Sequence, residues 1–105
     1  MNLPNIISEL VKAQENFDSH RYAECFTDTA VVYDEGKIHH GRIEIENWIR
    51  LANNEYQTVM KPQNFSQDEN ILEAEISGTF PGSPLVLQYH FDLRDGLIQT
   101  LKITD

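Results

Sequence analysis

Apolar residues recur at helical spacing along the first half of the chain and with a period of two along the second. Ile6, Leu10, Ala13 and Phe17, widened by Ile7 and Val11, form one stripe, with Glu9, Lys12 and Glu15 on other faces. That spacing predicts a helix from about Pro4 to Asp18, with Pro4 where a first turn tolerates a missing N–H. Tyr22, Cys25 and Phe26 cluster on one side of a short second helix, roughly Arg21 to Phe26. Ala30 to Asp34 is β-branched and aromatic and reads as a strand, followed by a turn at Glu35-Gly36-Lys37. Gly41 opens a third helix with Ile45, Trp48, Ile49 and Ala52 inward, Glu44 able to reach back to its first turn, and Asn53-Asn54 a plausible end.

From Thr58 the period changes to two. Thr58 to Ser66 reads as a strand in which Pro62 marks an edge or a bulge. Leu72, Ala74, Ile76, Gly78 and Phe80 alternate with polar residues, with Gly78 as a point where a long strand bends. Leu85 to Arg94 and Leu97 to Thr104 are two more strands joined at Asp95-Gly96, a strong hairpin signal. Helices first and an antiparallel meander after them make an α+β layout. No repeat, linker or low-complexity tract interrupts it, so the expectation is a single domain over residues 1–105.

The chain has 105 residues, 40% hydrophobic, and a formal net charge of -9. Phosphate backbones and anionic bilayers draw affinity from Lys and Arg, so this balance argues against nucleic acid and against a membrane surface. The N-terminus does not read as a signal peptide, and no apolar run approaches the ~20 residues that cross a bilayer. A single cysteine, Cys25, cannot form an intrachain disulfide and fits a reducing, cytoplasmic setting.

Three pieces carry a resemblance. They are Tyr22 to Val32; His40-Gly41-Arg42 followed by Ile45 and Trp48; and Ser77 to Pro84 leading into Tyr89 to Ile98. In this order and spacing the chain resembles the nuclear transport factor 2-like superfamily and, within it, the SnoaL-like group. The resemblance covers nearly the whole chain. It implies a cystatin-like cone, a curved antiparallel sheet packed on three N-terminal helices, enclosing an apolar pocket, commonly in a homodimer. Members include ketosteroid isomerases, polyketide cyclases, epoxide hydrolases, dehydratases and non-catalytic binding modules, so the fold alone does not name a reaction.

Asp34 ends the first strand and faces the same way as Ala30 and Val32. It matches the position of the general base in the resembling isomerases. A carboxylate at the mouth of an apolar pocket gains basicity by desolvation, and the resembling ketosteroid isomerases use an aspartate base. The alternative is an aspartate that merely opens the Asp34-Glu35-Gly36 turn. Tyr89, counted back from the Asp95-Gly96 hairpin, matches an oxyanion donor and is equally readable as a core tyrosine beside Phe91. Leu10 stands where those isomerases carry a donor tyrosine, which removes half of their oxyanion hole and leaves steroid isomerisation without support.

His40 is a candidate acid or base at a pocket rim, or else a surface histidine. His39 and His40 are adjacent and point to opposite faces, so they make poor joint ligands, and no spacing resembles a zinc site. Phe17, Trp48, Tyr56, Met60 and Phe65 are candidate pocket-lining residues or plain core. Cys25 reads as a buried filler. No glycine-rich phosphate loop, serine elbow or nucleotide fingerprint is present, so no cofactor is expected. The expectation is a small apolar ligand, with isomerase- or cyclase-like proton transfer by Asp34. The alternative is a non-catalytic interaction module meeting a partner through the outward strand residues Glu73, Glu75, Gln88, His90 and Asp92.

Overall fold

A computed structural model describes all residues, Met1–Asp105. The elements run α1 (Asn5–Glu15), α2 (Ser19–Glu24), β1 (Phe26–Asp34), β2 (Lys37–His40), α3 (Gly41–Tyr56), β3 (Val59–Ser66), β4 (Ile71–Ser77), β5 (Leu85–Arg94) and β6 (Leu97–Thr104). The architecture is α+β, as the two periodicities require. One curved six-stranded sheet of order β2-β1-β6-β5-β4-β3 carries three helices.

Local chemistry sets the helix ends. Pro4 precedes α1, whose residues Ile6, Ile7, Leu10, Val11 and Ala13 are buried. Phe17, at φ 51, turns the chain out of α1. The Asp18 carboxylate then accepts the Arg21 N–H at 3.1 Å and caps α2. Glu44 reaches back from the first turn of α3 to accept the His40 N–H at 2.8 Å, which is the reciprocal half of a capping box. Arg42 ties that start to β1 by donating to the Phe26 carbonyl and pairing with Asp28. The helix ends at Gln57, in the left-handed region, whose N–H returns to the Asn53 carbonyl.

Four of the five strand pairings are antiparallel. β1 and β6 pair in parallel, so the sheet is mixed rather than wholly antiparallel. The three reversals of the β3–β6 meander bring the last strand back running along β1. Register shifts interrupt three ladders, between Phe26 and Val31, Pro62 and Asn64, and Asp92 and Leu93. Such bulges bend and twist strands, and they curl the sheet toward the helices. Pro62 lies on β3, an edge strand, at one of them. The sequence pattern ends its turn at Lys37 and assigns no strand to the extended residues before Gly41; Lys37–His40 is a short strand, β2, paired to β1. The fourth strand stops at Ser77 instead of reaching Phe80. A Cβ on Gly78 would fall within 3.0 Å of the Tyr56 carbonyl oxygen. Thr79 donates its N–H to that same oxygen at 2.8 Å. Gly78 and Thr79 thus serve the end of α3 rather than the strand ladder.

Twenty-one buried apolar residues form one core between helices and sheet, centred on Ile7, Leu10, Phe26, Ile45, Leu72, Ile98 and Leu101. One polar network crosses it. Gln14 donates to the Asn53 side chain and to the Thr58 carbonyl, both at 2.9 Å, and fastens α1 to the end of α3. No helix is long and apolar enough to cross a membrane.

Candidate functional site

The site begins with a turn. Glu35 and Gly36 have φ of 52° and 75°, the two left-handed residues of a type I′ hairpin. A two-residue turn fixes the register, so Asp34 pairs with Lys37, Tyr33 with Ile38, Val32 with His39 and Val31 with His40. Ala30 and Val32 are fully buried, and strand alternation carries Asp34 onto their face. Opposite Val32, His39 takes that inward face as well. Tyr33 and Ile38 take the outward face and are exposed.

Three other elements close around this hairpin. From α3 comes Trp48, half-buried, its ring stacked on His39 with centroids 5.2 Å apart and planes 26° apart. Tyr22 comes from α2, 3% exposed, and meets Trp48 edge-on at 6.1 Å. From β5 comes Tyr89, 7% exposed and stacked on Phe91. The group therefore joins α2, β1, β2, α3 and β5.

Burial governs the protonation of every member. The Asp34 carboxyl is pushed above the usual carboxylate range, first by burial and then by the neighbouring Glu35. The Trp48 side chain beside it and Lys37 pull the other way by favouring the charged form. Tyr22 is held neutral far above the ordinary phenol range by burial, with the Tyr89 and Asp34 charges adding to it. Tyr89 is raised for the same first reason, and Asp34 again adds. Both phenols thus lie within electrostatic reach of the carboxylate. The His39 imidazole is lowered by burial and Lys37 against the opposing pull of Glu44, so it is uncharged near neutral pH. The arrangement combines one carboxylate of raised basicity, two O–H donors that keep their protons and one neutral imidazole.

Of the residues singled out in the sequence, Asp34, Tyr89 and Trp48 come together. His40 does not. It is exposed, sits opposite Val31 on the outer face and spends its backbone N–H on capping α3. Alternation places His39 inside instead. Phe17 is 48% exposed on the turn after α1, where it borders an open groove of about 320 Å3 with Asn53 and Gln57. Tyr56 ends α3 edge-on to Phe80 at 5.9 Å, and its phenol is raised first by the adjacent Glu55, with Glu35 of the hairpin turn adding least. Met60, opposite Ile76, is buried in the core, and Phe65, opposite Leu72, packs against it. A second groove, of about 460 Å3, is lined by Glu9, Lys12, His20 and their neighbours on α1 and α2. Asp34 borders neither groove.

Sequence reasoning missed Tyr22 and His39. The signal for His39 was present, because Glu-Gly after a strand announces a two-residue turn whose register decides which histidine faces inward. Tyr22 carried only the mark of a core aromatic.

Among solved structures, a protein of Sinorhizobium meliloti described as a candidate polyketide cyclase is 36% identical. The match covers 97% of this chain and 95% of that one, with a TM-score of 0.90. The chain belongs to the SnoaL-like group of the nuclear transport factor 2-like superfamily. At lower identity the likeness is one of fold. A Catenulispora acidiphila protein with a ketosteroid isomerase-like fold, in complex with trimethylamine, is 17% identical over 99% of this chain and 87% of that one, TM-score 0.78. The epoxide hydrolase/cyclase-like enzyme SalBIII, of pyran ring formation in the polyether salinomycin, is 19% identical over 94% and 86%, TM-score 0.72. No family model and no curated protein matches the sequence.

Proposed function

We propose that this SnoaL-like chain binds a small apolar molecule at the Asp34 end of the curved sheet and shifts a proton on it, in an isomerase- or cyclase-like reaction. The observation that carries the reading is a half-buried carboxylate of raised pKa within electrostatic reach of two buried phenols. In this reaction Asp34 takes a proton from carbon next to a carbonyl. Charge then develops on the carbonyl oxygen, and Tyr22 and Tyr89 supply O–H donors to it. Tyr22 fills, from α2, the role left open by Leu10, which is fully buried in the core. Neighbours named as cyclase-like enzymes favour the same class.

The test is a carboxyl-carbon NMR titration of Asp34. A pKa clearly above the ordinary value of about 4 supports a poised base; an ordinary value removes it. Burial of both phenols within electrostatic reach of Asp34 favours the catalytic reading over a purely non-catalytic module. A homodimer forms part of the proposal, built on the outer sheet face, where exposed Tyr33 and Val86 flank a polar strip that includes Glu73, Gln88 and His90. Light scattering after size exclusion that shows a monomer at micromolar concentration would remove this part.

A further inference from the structure

Nearly every buried ring nitrogen in a folded protein has a hydrogen-bond partner. The Nε2 atom of His39 has none, although it is sealed from bulk solvent. The ring is held in place by its stack on Trp48 and by its strand position opposite Val32, on the Asp34 face of the hairpin. Desolvating a polar atom without pairing it is destabilising, and a side chain as simple as phenylalanine would keep the stack without that penalty. The groups facing the hairpin are also of mostly one sign. Glu35 lies within electrostatic reach of Asp34 and Glu44 within reach of His39, against Lys37 as the one cation near both.

We propose that His39 Nε2 is a ligand-contacting group, and that the site takes an uncharged apolar molecule bearing a hydroxyl, which it prefers over the matching carboxylate. The proposal rests on the binding reading above. A hydroxyl both donates and accepts, so it satisfies Nε2 in either tautomer of the neutral ring. A carboxylate would enter beside three acidic groups and one lysine, and its charge would be poorly compensated. The Trp48 ring, shared between His39 and Asp34, then sets the spacing between the hydroxyl and the proton that Asp34 moves.

The experiment titrates the full chain, labelled with 15N at histidine and at the tryptophan indole, with 2-naphthol and separately with 2-naphthoate. The expected result is a saturable shift of the His39 Nε2 resonance with 2-naphthol and at least about tenfold weaker binding of 2-naphthoate, the scale of one hydrogen bond or more. His39→Phe keeps the aromatic stack. It is expected to hold or raise the melting temperature while weakening 2-naphthol by about tenfold. His39→Gln, which retains an amide able to reach a hydroxyl, is expected to recover part of that loss. If 2-naphthol shifts the Trp48 indole but leaves Nε2 unmoved, or if His39→Phe binds like the parent, the assignment of His39 is overturned and the binding reading stands. If 2-naphthol moves neither resonance, the assignment and the binding reading fail together.

Discussion

Gly78→Ala is a small substitution with a large expected consequence. The added methyl would fall within 3.0 Å of the Tyr56 carbonyl oxygen and 3.3 Å from two atoms of the Phe80 ring. The ring can give way. The carbonyl is harder to move, because it belongs to the last residue of α3 and accepts the Thr79 N–H at 2.8 Å. Overpacking of this kind costs about 1–3 kcal/mol. Drawing the Tyr56 carbonyl back weakens the bond to Thr79, worth ~1 kcal/mol. Replacing glycine by alanine returns ~0.5 kcal/mol by restricting the unfolded chain. The sum is about 1.5–3.5 kcal/mol of lost stability. At roughly 4–8 °C per kcal/mol for a domain of this size, the melting temperature should fall by about 6–28 °C. Thermal melts followed by circular dichroism, with urea midpoints at unchanged slope, measure it. Because α3 carries Trp48, the indole emission of the folded variant should also move. A variant within about 0.5 kcal/mol of the parent, the range of an ordinary surface change, would refute the close approach as the reason for glycine there.

Asp34→Asn should stabilise the fold at pH 7. The folded carboxyl has a raised pKa, so its charged form is disfavoured by folding; that penalty is absent below the ordinary carboxylate range and grows as pH rises through the folded pKa. The gain in urea midpoint should therefore vanish at about pH 3, and an equal gain at both pH values would contradict the linkage. Asn53→Ala removes the acceptor used by Gln14 at 2.9 Å and by Thr58 at 3.3 Å, and should cost about 1–3 kcal/mol in urea unfolding; a smaller loss would mean the network is dispensable. Cys25 is 3% exposed and its thiol is pushed up to about 11 by burial, so it should resist a thiol reagent at pH 8 until the chain unfolds; rapid labelling of the native protein would refute that.

The parts of this fold that the sequence displays plainly are those where one period dominates. The stripe of α1, the alternation of β5 and the Asp95-Gly96 hairpin each repeat a simple rule, and the corresponding elements sit where that rule puts them. Pro62 likewise announces an edge strand because proline withholds a ladder donor. The parallel pairing of β1 with β6 is not written locally. It depends on how many reversals intervene and on which edge each strand joins. Gly78 misleads for a related reason. Within its own segment it reads as a bend, while the constraint upon it comes from the Tyr56 carbonyl, 22 residues earlier in the sequence.

The same distinction separates the members of the candidate site. Asp34 was visible because it continues a short inward pattern with Ala30 and Val32. Tyr22 was not, because a buried tyrosine kept as filler and one kept for its hydroxyl have the same local sequence, and only the convergence of α2 with β1 tells them apart. His39 lies between these cases. Its choice over His40 follows from turn chemistry alone, since glutamate and glycine in the left-handed region leave one possible register. What the turn cannot reveal is that the nitrogen placed inside would find no partner. A sequence satisfies its local rules wherever it can, and the places where it leaves a carboxyl desolvated and an imidazole nitrogen unpaired within one small group are where stability has been yielded to something else. That a desolvated carboxyl and an unpaired imidazole nitrogen meet at Trp48 is the physical reason to look for a ligand there.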